Sequence, residues 1–262
     1  MFRCPVCTAP LEASARAYQC QAGHTFDRSR EGYVNLLAGR GSAGGRERGD
    51  APAMVRARRE FLDAGYYEPL RRAVLDALGP GAVLDVGCGE GYYTRPLAEA
   101  ARRWVGGIDV SKYAIRAAAR RTPAIEYAVA NAFALPVVSG SVDVAVNVFG
   151  PVAADEMARV LVDGGRALVV SPGPTHLIEL KRLLFDEAAE HPLEPPRSIA
   201  PVLHPVDRQR LTFAMDIGSP HVEALVDMTP YRWQIPADRK PDLPRAEKLT
   251  VTADFLLFHL RT

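Results

Sequence analysis

The chain has 262 residues, 48% of them hydrophobic and 24% charged, which excludes a disordered polyelectrolyte and allows one α/β domain with a small appendage. No stretch approaches the roughly 18–20 apolar residues needed to cross a bilayer. A net charge of +1 excludes a uniformly basic surface, yet the charge is uneven: residues 1–60 hold ten arginines against six acids, a balance of +4, leaving −3 for the rest.

Arginines clustered at the front suit a phosphate-bearing partner as well as a solvated face. Cys4, Pro5 and Cys7 stand where a secretory leader would have its apolar stretch, so a cytoplasmic location is expected.

Residues 1–38 read as a compact unit with little helical periodicity. Three of the four cysteines fall within its first 20 residues, a pattern for metal and not for a dispersed disulfide framework. Cys4-x2-Cys7 presents two thiolates, and Cys20-x3-His24 forms a second knuckle, with Pro5 and Gly23 as turn residues. Four such ligands make a closed tetrahedral zinc site, hence a structural one, and a unit this small needs the staple to fold. Tyr18, Phe26 and Tyr33 lie among the arginines, where they can stack on unpaired bases or form a miniature core. Residues 39–50, GRGSAGGRERGD, hold no large apolar residue and read as a flexible linker.

Helical stripes follow at Met54, Phe61 and Leu62 and at Leu70, Val74, Leu75 and Leu78, stopped by Gly79 and Gly81. AVLDVGCGEG (82–91) is a buried strand running into a glycine turn, then a helix from Tyr93. WVGGIDV (104–110) is the next strand and SKYAIRAAARR (111–121) the next helix. Strands recur near 125–130, 142–148 and 166–171, with a helix near 153–161. This alternation predicts a parallel, doubly wound sheet. A helix is expected over 176–190, a proline-rich excursion over 191–207, and strands at 211–217 and 249–260 flanking a helix from Pro220 to Met228. The two strands would close one sheet edge as an antiparallel pair.

The glycine turn reads Asp85-Val86-Gly87-Cys88-Gly89-Glu90-Gly91. A pyrophosphate would not tolerate Asp85 and Glu90 beside it. S-adenosylmethionine has no phosphate and carries an ammonium and a sulfonium, so acids there are favourable. Asp109, at the end of the next strand, is placed to accept both ribose hydroxyls. Asn131, after the third strand, is placed to meet the adenine edge. Cys88 reads as a small buried residue and not a nucleophile.

The stretches CPVC…C…GHTFDRSREGYVNLL, ARREFLDAGYYEPL, VLDVGCGEGYYT, IDVSKYAIRAAARR, SPGPTHLIELK and MTPYRW together resemble the RlmA family of 23S rRNA (guanine-N1) methyltransferases, over roughly residues 1–182 and again at 228–233. The resemblance implies a class I fold, a doubly wound, mostly parallel seven-stranded Rossmann-like sheet. It divides the chain into a zinc-binding, RNA-recognition module (1–38), the linker, and a methyltransferase domain (51–262). It implies zinc at Cys4, Cys7, Cys20 and His24, and cofactor contacts from Tyr67, Gly89, Glu90 and His176; on position alone, His176 would be a capping or solvent-facing residue. The implied substrate is a guanine in a hairpin loop of 23S rRNA. Two subgroups modify neighbouring guanines, one conferring macrolide resistance; GCGEGYY leans to the first and NVFGP to the second.

The implied reaction is in-line attack of guanine N1 on the sulfonium methyl, in which the protein mainly positions the reactants. N1 lies on the Watson–Crick edge, so the base must be unpaired, and Asn147–Pro151 is the expected floor for it. N1 also carries a proton; Asp155, Glu156 and His176 are candidate acceptors by position. A small-molecule methyltransferase would share the pocket without needing an arginine-bearing zinc module. A non-enzymatic RNA-binding protein would not need an intact glycine turn and Asp109. A homodimer gripping the hairpin is compatible with the two-lobed design.

Overall fold

The computed structural model describes residues 1–37, 49–100, 103–196, 199, 201–229, 231–235 and 248–262. The expected linker lies outside the described residues apart from Gly49 and Asp50, and so do Arg40, Arg46 and Arg48.

The front of the chain forms a three-stranded antiparallel sheet from β1 (Glu12–Ala13), β2 (Ala17–Gln19) and β3 (Thr25–Asp27). The two metal-ligand turns stand before β1 and between β2 and β3. A fourth short strand, β4 (Val34–Asn35), leaves this unit and pairs in parallel with β7 (Glu126–Val129) of the main sheet.

Helices α1 (Pro52–Asp63) and α2 (Glu68–Asp76) each carry a proline in the first turn, where its missing N–H costs nothing. The winding then runs β5 (Val83–Val86), α3 (Thr94–Ala100), β6 (Val105–Asp109), α4 (Lys112–Arg121), β7, β8 (Val142–Val148), α5 (Ala154–Val160) and β9 (Leu161–Pro172). Ser111 caps α4, its Oγ accepting from Ala114 N. The chain closes with α6 (Ile178–Leu184), β10 (His204–Gly218), α7 (Ser219–Asp227), α8 (Tyr231–Gln234) and β11 (Lys248–Arg261).

The main sheet has the order β10-β11-β9-β8-β5-β6-β7-β4. It is parallel from β4 to β9, and β11 runs antiparallel to β9 and β10. The expected seven strands are present, and β4 from the front unit makes an eighth. β5 and β8 are neighbours although their connections wind to opposite sides. The crevice beyond their carboxyl ends is therefore the place where an open α/β sheet binds its ligand.

Apolar side chains cover both faces of the sheet. One face packs Phe61, Leu70, Ile115, Leu180 and Leu225; the other packs Leu84, Ile108, Leu135 and Met157. Phe2, Tyr18, Val34 and Leu36 of the front unit belong to the second layer. Phe2 meets Tyr18 and Trp104 edge-on at 5.7 and 5.8 Å. The expected miniature core is therefore shared with the methyltransferase domain. Of the three aromatics among the arginines, Tyr18 and Tyr33 are buried and unavailable for stacking on bases, while Phe26 is half-buried.

Boundaries differ from expectation at several elements, among them β9, which starts at Leu161 and not near 166. The helix over 176–190 ends at Leu184, because Phe185 turns extended and packs edge-on against Tyr231 at 5.7 Å. β10 starts seven residues before the predicted 211–217. Its first half, HPVDRQR, is exposed and shows no apolar alternation; the ladder with β11 holds it. β11 likewise outruns its apolar run. Among the described residues, no helix is long and apolar enough to cross a membrane.

Candidate active site and zinc centre

Cys4, Cys7, Cys20 and His24 offer ligand atoms that all lie within 4.8 Å of one another. Cys7 Sγ and Cys20 Sγ are 3.6 Å apart, close to the edge of about 3.8 Å that a tetrahedron with ordinary Zn–S bonds requires. His24 Nδ1 lies 3.3 Å from Cys20 Sγ. Each knuckle is a closed turn: Thr8 N donates to Cys4 O and Gly23 N to Cys20 O, both at 2.9 Å. Gly23 takes φ +84°, which the second turn requires. Burial pushes the Cys20 thiol up, but hydrogen bonds to His24 and Cys7 outweigh it and bring the group to about 6. Three thiol ligands and one imidazole in this arrangement fit zinc with no position left for water, so the ion is structural.

At the carboxyl end of β5 the glycine turn is bent back onto β6. Gly87 N and Cys88 N both donate to Ile108 O, at 2.8 and 2.9 Å, and Gly89 N donates to Asp109 Oδ2 at 3.0 Å. A phosphate cradle needs these N–H groups pointing at the ligand. Here they are consumed by the neighbouring strand, so the loop does not present an anion nest. Gly87 and Gly89 take φ +80° and +55°, a conformation that side chains disfavour. Asp109 is held by Ser111 N (2.7 Å) as well as Gly89 N, one donor on each oxygen. Each oxygen keeps a further lone pair.

The acids around the loop are buried. Glu90 Oε2 is paired with Arg121 at 3.0 Å, which offsets the charge expected to face the cofactor, and its Oε1 has no hydrogen-bond partner. Tyr92 Oη, Tyr93 Oη and Asn147 Oδ1 are also buried without partners. Orphans on this scale call for a ligand with several polar hydrogens. S-adenosylmethionine, with an ammonium, two hydroxyls and an amine, fits that requirement. Cys88 is buried and burial raises its thiol well above the usual range, in keeping with a packing role.

Burial, with a smaller push from the charge of Asp109, raises the Asp85 carboxyl to about 7 against the 2.6 Å hydrogen bond from Thr94 Oγ1. A carboxyl raised in the folded state stabilises the fold in its protonated form. That contribution is complete below its ordinary 3.8 and is lost as pH rises through about 7. Without cofactor, Asp85→Asn is therefore expected to be more stable than the parent at about pH 8, by up to about 4 kcal/mol, with the gap closing near pH 4. Thermal melts at the two pH values check this. An asparagine variant that melts below the parent at the higher pH refutes it.

Across the crevice stand Tyr67, at the start of α2, and His176, in the turn before α6. Asp254 N, on β11, donates to His176 Nδ1 at 3.3 Å. The ring proton therefore sits on Nε2 and is donated to Tyr67 Oη, also 3.3 Å away. Tyr67 keeps its own hydroxyl proton for another acceptor. Burial holds His176 down to about 3, helped by His191 and Lys181, so the ring is neutral. The Asp254 carboxylate secures the turn, accepting from Thr175 N and Oγ1, Thr212 Oγ1 and both prongs of Arg210. Phe149, just beyond β8, stacks against His176 with ring centroids 6.2 Å apart and planes at 27°. Its φ of +58° carries a backbone cost of roughly 1–2 kcal/mol.

Comparison with known proteins places both parts of the chain. The family model described as RlmA, N-terminal matches residues 2–39, and a methyltransferase-domain model matches 83–165. A 23S rRNA (guanine(748)-N(1))-methyltransferase from Streptomyces fradiae is 35% identical over 271 residues, spanning 97% of this chain and 95% of that protein. The chain belongs to the RlmA family. A second relative, from Micromonospora griseorubida, is 35% identical across 99% of this chain and 97% of its own length. A demethylmenaquinone methyltransferase from Renibacterium salmoninarum is also 35% identical, but over only 42% of this chain and half of that enzyme. The YcgJ protein of Bacillus subtilis superimposes with a TM-score of 0.52 at 19% identity, covering 75% of this chain and 98% of that one; this likeness bears on the fold alone.

Within this RlmA chain, Tyr67 and His176 meet each other, and Asp85, Gly87, Gly89, Glu90, Gly91 and Asp109 share the β5–β6 edge. Asn131 stands one residue beyond Ala130, whose N donates to Asp109 O at 2.9 Å. It is exposed, its Oδ1 accepting from Phe133 N, and it also lines a small cavity with Arg3, Cys4 and Pro5 at the seam with the zinc unit. Glu156 is committed to Arg159 and Leu135 N. His176 has both ring nitrogens in hydrogen bonds and offers no lone pair to a substrate proton. Asp155 is exposed. Phe149 lies inside the expected floor Asn147–Pro151, though nothing in the sequence singles it out from its neighbours there. The buried, unpartnered Nε2 of His191, whose ring lies 6.4 Å from that of His176, is marked by no motif; only the folding of distant segments onto one crevice brings it forward.

Proposed function

We propose that this protein transfers the methyl group of S-adenosylmethionine to N1 of a guanine in a hairpin loop of 23S rRNA. One observation carries the reading: the zinc unit is built into the edge of a phosphate-free cofactor sheet through β4, and the family likeness spans both parts. A small-molecule enzyme would have no use for that edge.

The bound cofactor supplies an electrophilic methyl on a sulfonium centre. The residues of the chain do the rest by positioning. Asp109 presents lone pairs to the ribose hydroxyls, and Tyr67, oriented by His176, directs its hydroxyl proton into the crevice. Asn147 Nδ2, near the end of β8, donates to Val86 O at 2.8 Å and to Pro151 O at 3.4 Å, tying the loop after β8 to the end of β5. The base therefore sits close to the glycine turn. Asp155 is the proposed acceptor for the N1 proton, since Glu156 and His176 are already committed. A ribosomal RNA substrate implies a cytoplasmic enzyme, and a homodimer gripping the hairpin is part of the reading.

The test is mass spectrometry of nuclease fragments of 23S rRNA from cells with and without the gene, alongside transfer to the isolated hairpin by the purified protein. One added methyl on a single loop guanine is expected. Unchanged fragments combined with an inert purified enzyme overturn the reading. Macrolide sensitivity of the same cells tells which of the two neighbouring guanines is served.

A further inference from the structure

We infer that the ring of Phe149 is the face on which the target base stacks, an assignment that rests on the reading of the previous subsection. Phe149 is 41% exposed, unusual for a large aromatic in the middle of a sheet rim. A lone exposed phenylalanine would need no explanation, but this one is held in a left-handed backbone at φ +58°. Gly150 follows directly and could take such a φ freely; the strain falls on the aromatic instead. Phe149 N donates to Val170 O at 3.0 Å, so the sheet grips the residue at its strained position. Strain kept at a rim is a pointer to function.

The ring is buttressed from within and open outward. His176 lies offset-parallel to it, and Tyr67 and Phe255 stand at 6.3 and 5.6 Å. These neighbours are buried, so the ring cannot tip inward. The next residue, Gly150, is packed against the glycine turn: a side-chain carbon on Gly87 would come within 3.5 Å of Gly150 Cα. The platform therefore borders the cofactor cradle. A guanine methylated at N1 must leave its pair, and a fixed aromatic face offsets the stacking it gives up. A flat, sequence-tolerant face holds the base in plane while leaving its Watson–Crick edge free to meet the methyl group.

The experiment uses the full-length, zinc-loaded protein with Phe149→Leu, Phe149→Tyr and Phe149→Trp. Leucine is expected to raise the KM for the hairpin about 10- to 100-fold with cofactor affinity unchanged, and the aromatic variants are expected to restore it. A hairpin carrying 2-aminopurine at the target position should be quenched on binding the parent enzyme and Phe149→Tyr, but not Phe149→Leu. The parent measurement stands even if a variant fails to fold. Absence of quenching with the parent, or a leucine variant with parental KM, overturns the assignment. So does a leucine variant that loses cofactor affinity, which would make the ring a cofactor cover. A parent enzyme that methylates no hairpin brings down the function and this inference together; an active parent with a neutral leucine variant brings down the inference alone.

Discussion

Removing the zinc ion, by chelation or by Cys20→Ser, is expected to reduce rRNA methylation at least about 100-fold and to lower the melting temperature of the whole chain. Binding to four such ligands contributes an apparent 10–16 kcal/mol or so to folding of a small zinc unit. Among the described residues the unit offers little else: three strands of two or three residues and a few apolar side chains. Those side chains, Phe2, Tyr18, Val34 and Leu36, are packed into the second layer of the main sheet. Each contributes roughly 1.5–3 kcal/mol by burial. Losing the ion therefore frays β4 from β7 and exposes that layer. The same packing means that truncating the chain at residue 38 strips the sheet edge together with the zinc unit. Metal content, melting curves and transfer to the hairpin on one preparation check the prediction. A zinc-free protein that methylates at the parental rate disproves it.

The second large effect is expected at Asp109. Asp109→Ala should weaken S-adenosylmethionine binding by roughly 100-fold, and Asp109→Asn by roughly tenfold. The carboxylate acts twice. It accepts from Gly89 N and Ser111 N, which shapes the glycine turn and the start of α4. Its remaining lone pairs are the ones available to the ribose hydroxyls, and hydrogen bonds to a charged acceptor are worth about 1.5–3 kcal/mol. Alanine removes both roles and leaves two backbone donors in a buried setting, while asparagine keeps one oxygen acceptor. Calorimetric titration of the cofactor into each purified variant decides the matter. Alanine binding as tightly as the parent would rule out the ribose role.

Both predictions fall on residues that could be read from the chain. The zinc ligands could be read directly, because tetrahedral coordination by two knuckles constrains spacing along the chain and little else. The glycine turn and Asp109 were legible for a similar reason: a strand, a tight turn and a helix occupy consecutive residues, so their chemistry is written locally. The preference for a phosphate-free cofactor followed from Asp85 and Glu90, although Glu90 is held by Arg121, 31 residues away. The turn's own N–H groups, bent onto Ile108 and Asp109, are the firmer physical ground.

By itself, the sequence determined what depends on neighbours in the chain. That includes the alternation of strand and helix, the closing antiparallel pair, the four zinc ligands and the carboxylate that ends β6. Tertiary structure alone decided what depends on partners far apart in sequence. It joined the zinc unit to the sheet through Val34 and Ala128, and it buried Tyr18 and Tyr33 that local composition left open to RNA. It ended a helix at Leu184 that periodicity would have continued, because Phe185 found Tyr231. It also brought Tyr67, Phe149 and His176 to one crevice, with His176 fixed by a backbone N–H from β11. Periodicity and spacing report local geometry; which rings and hydrogen-bonding groups meet across a crevice is set by how the whole sheet closes, and no short stretch of chain encodes it.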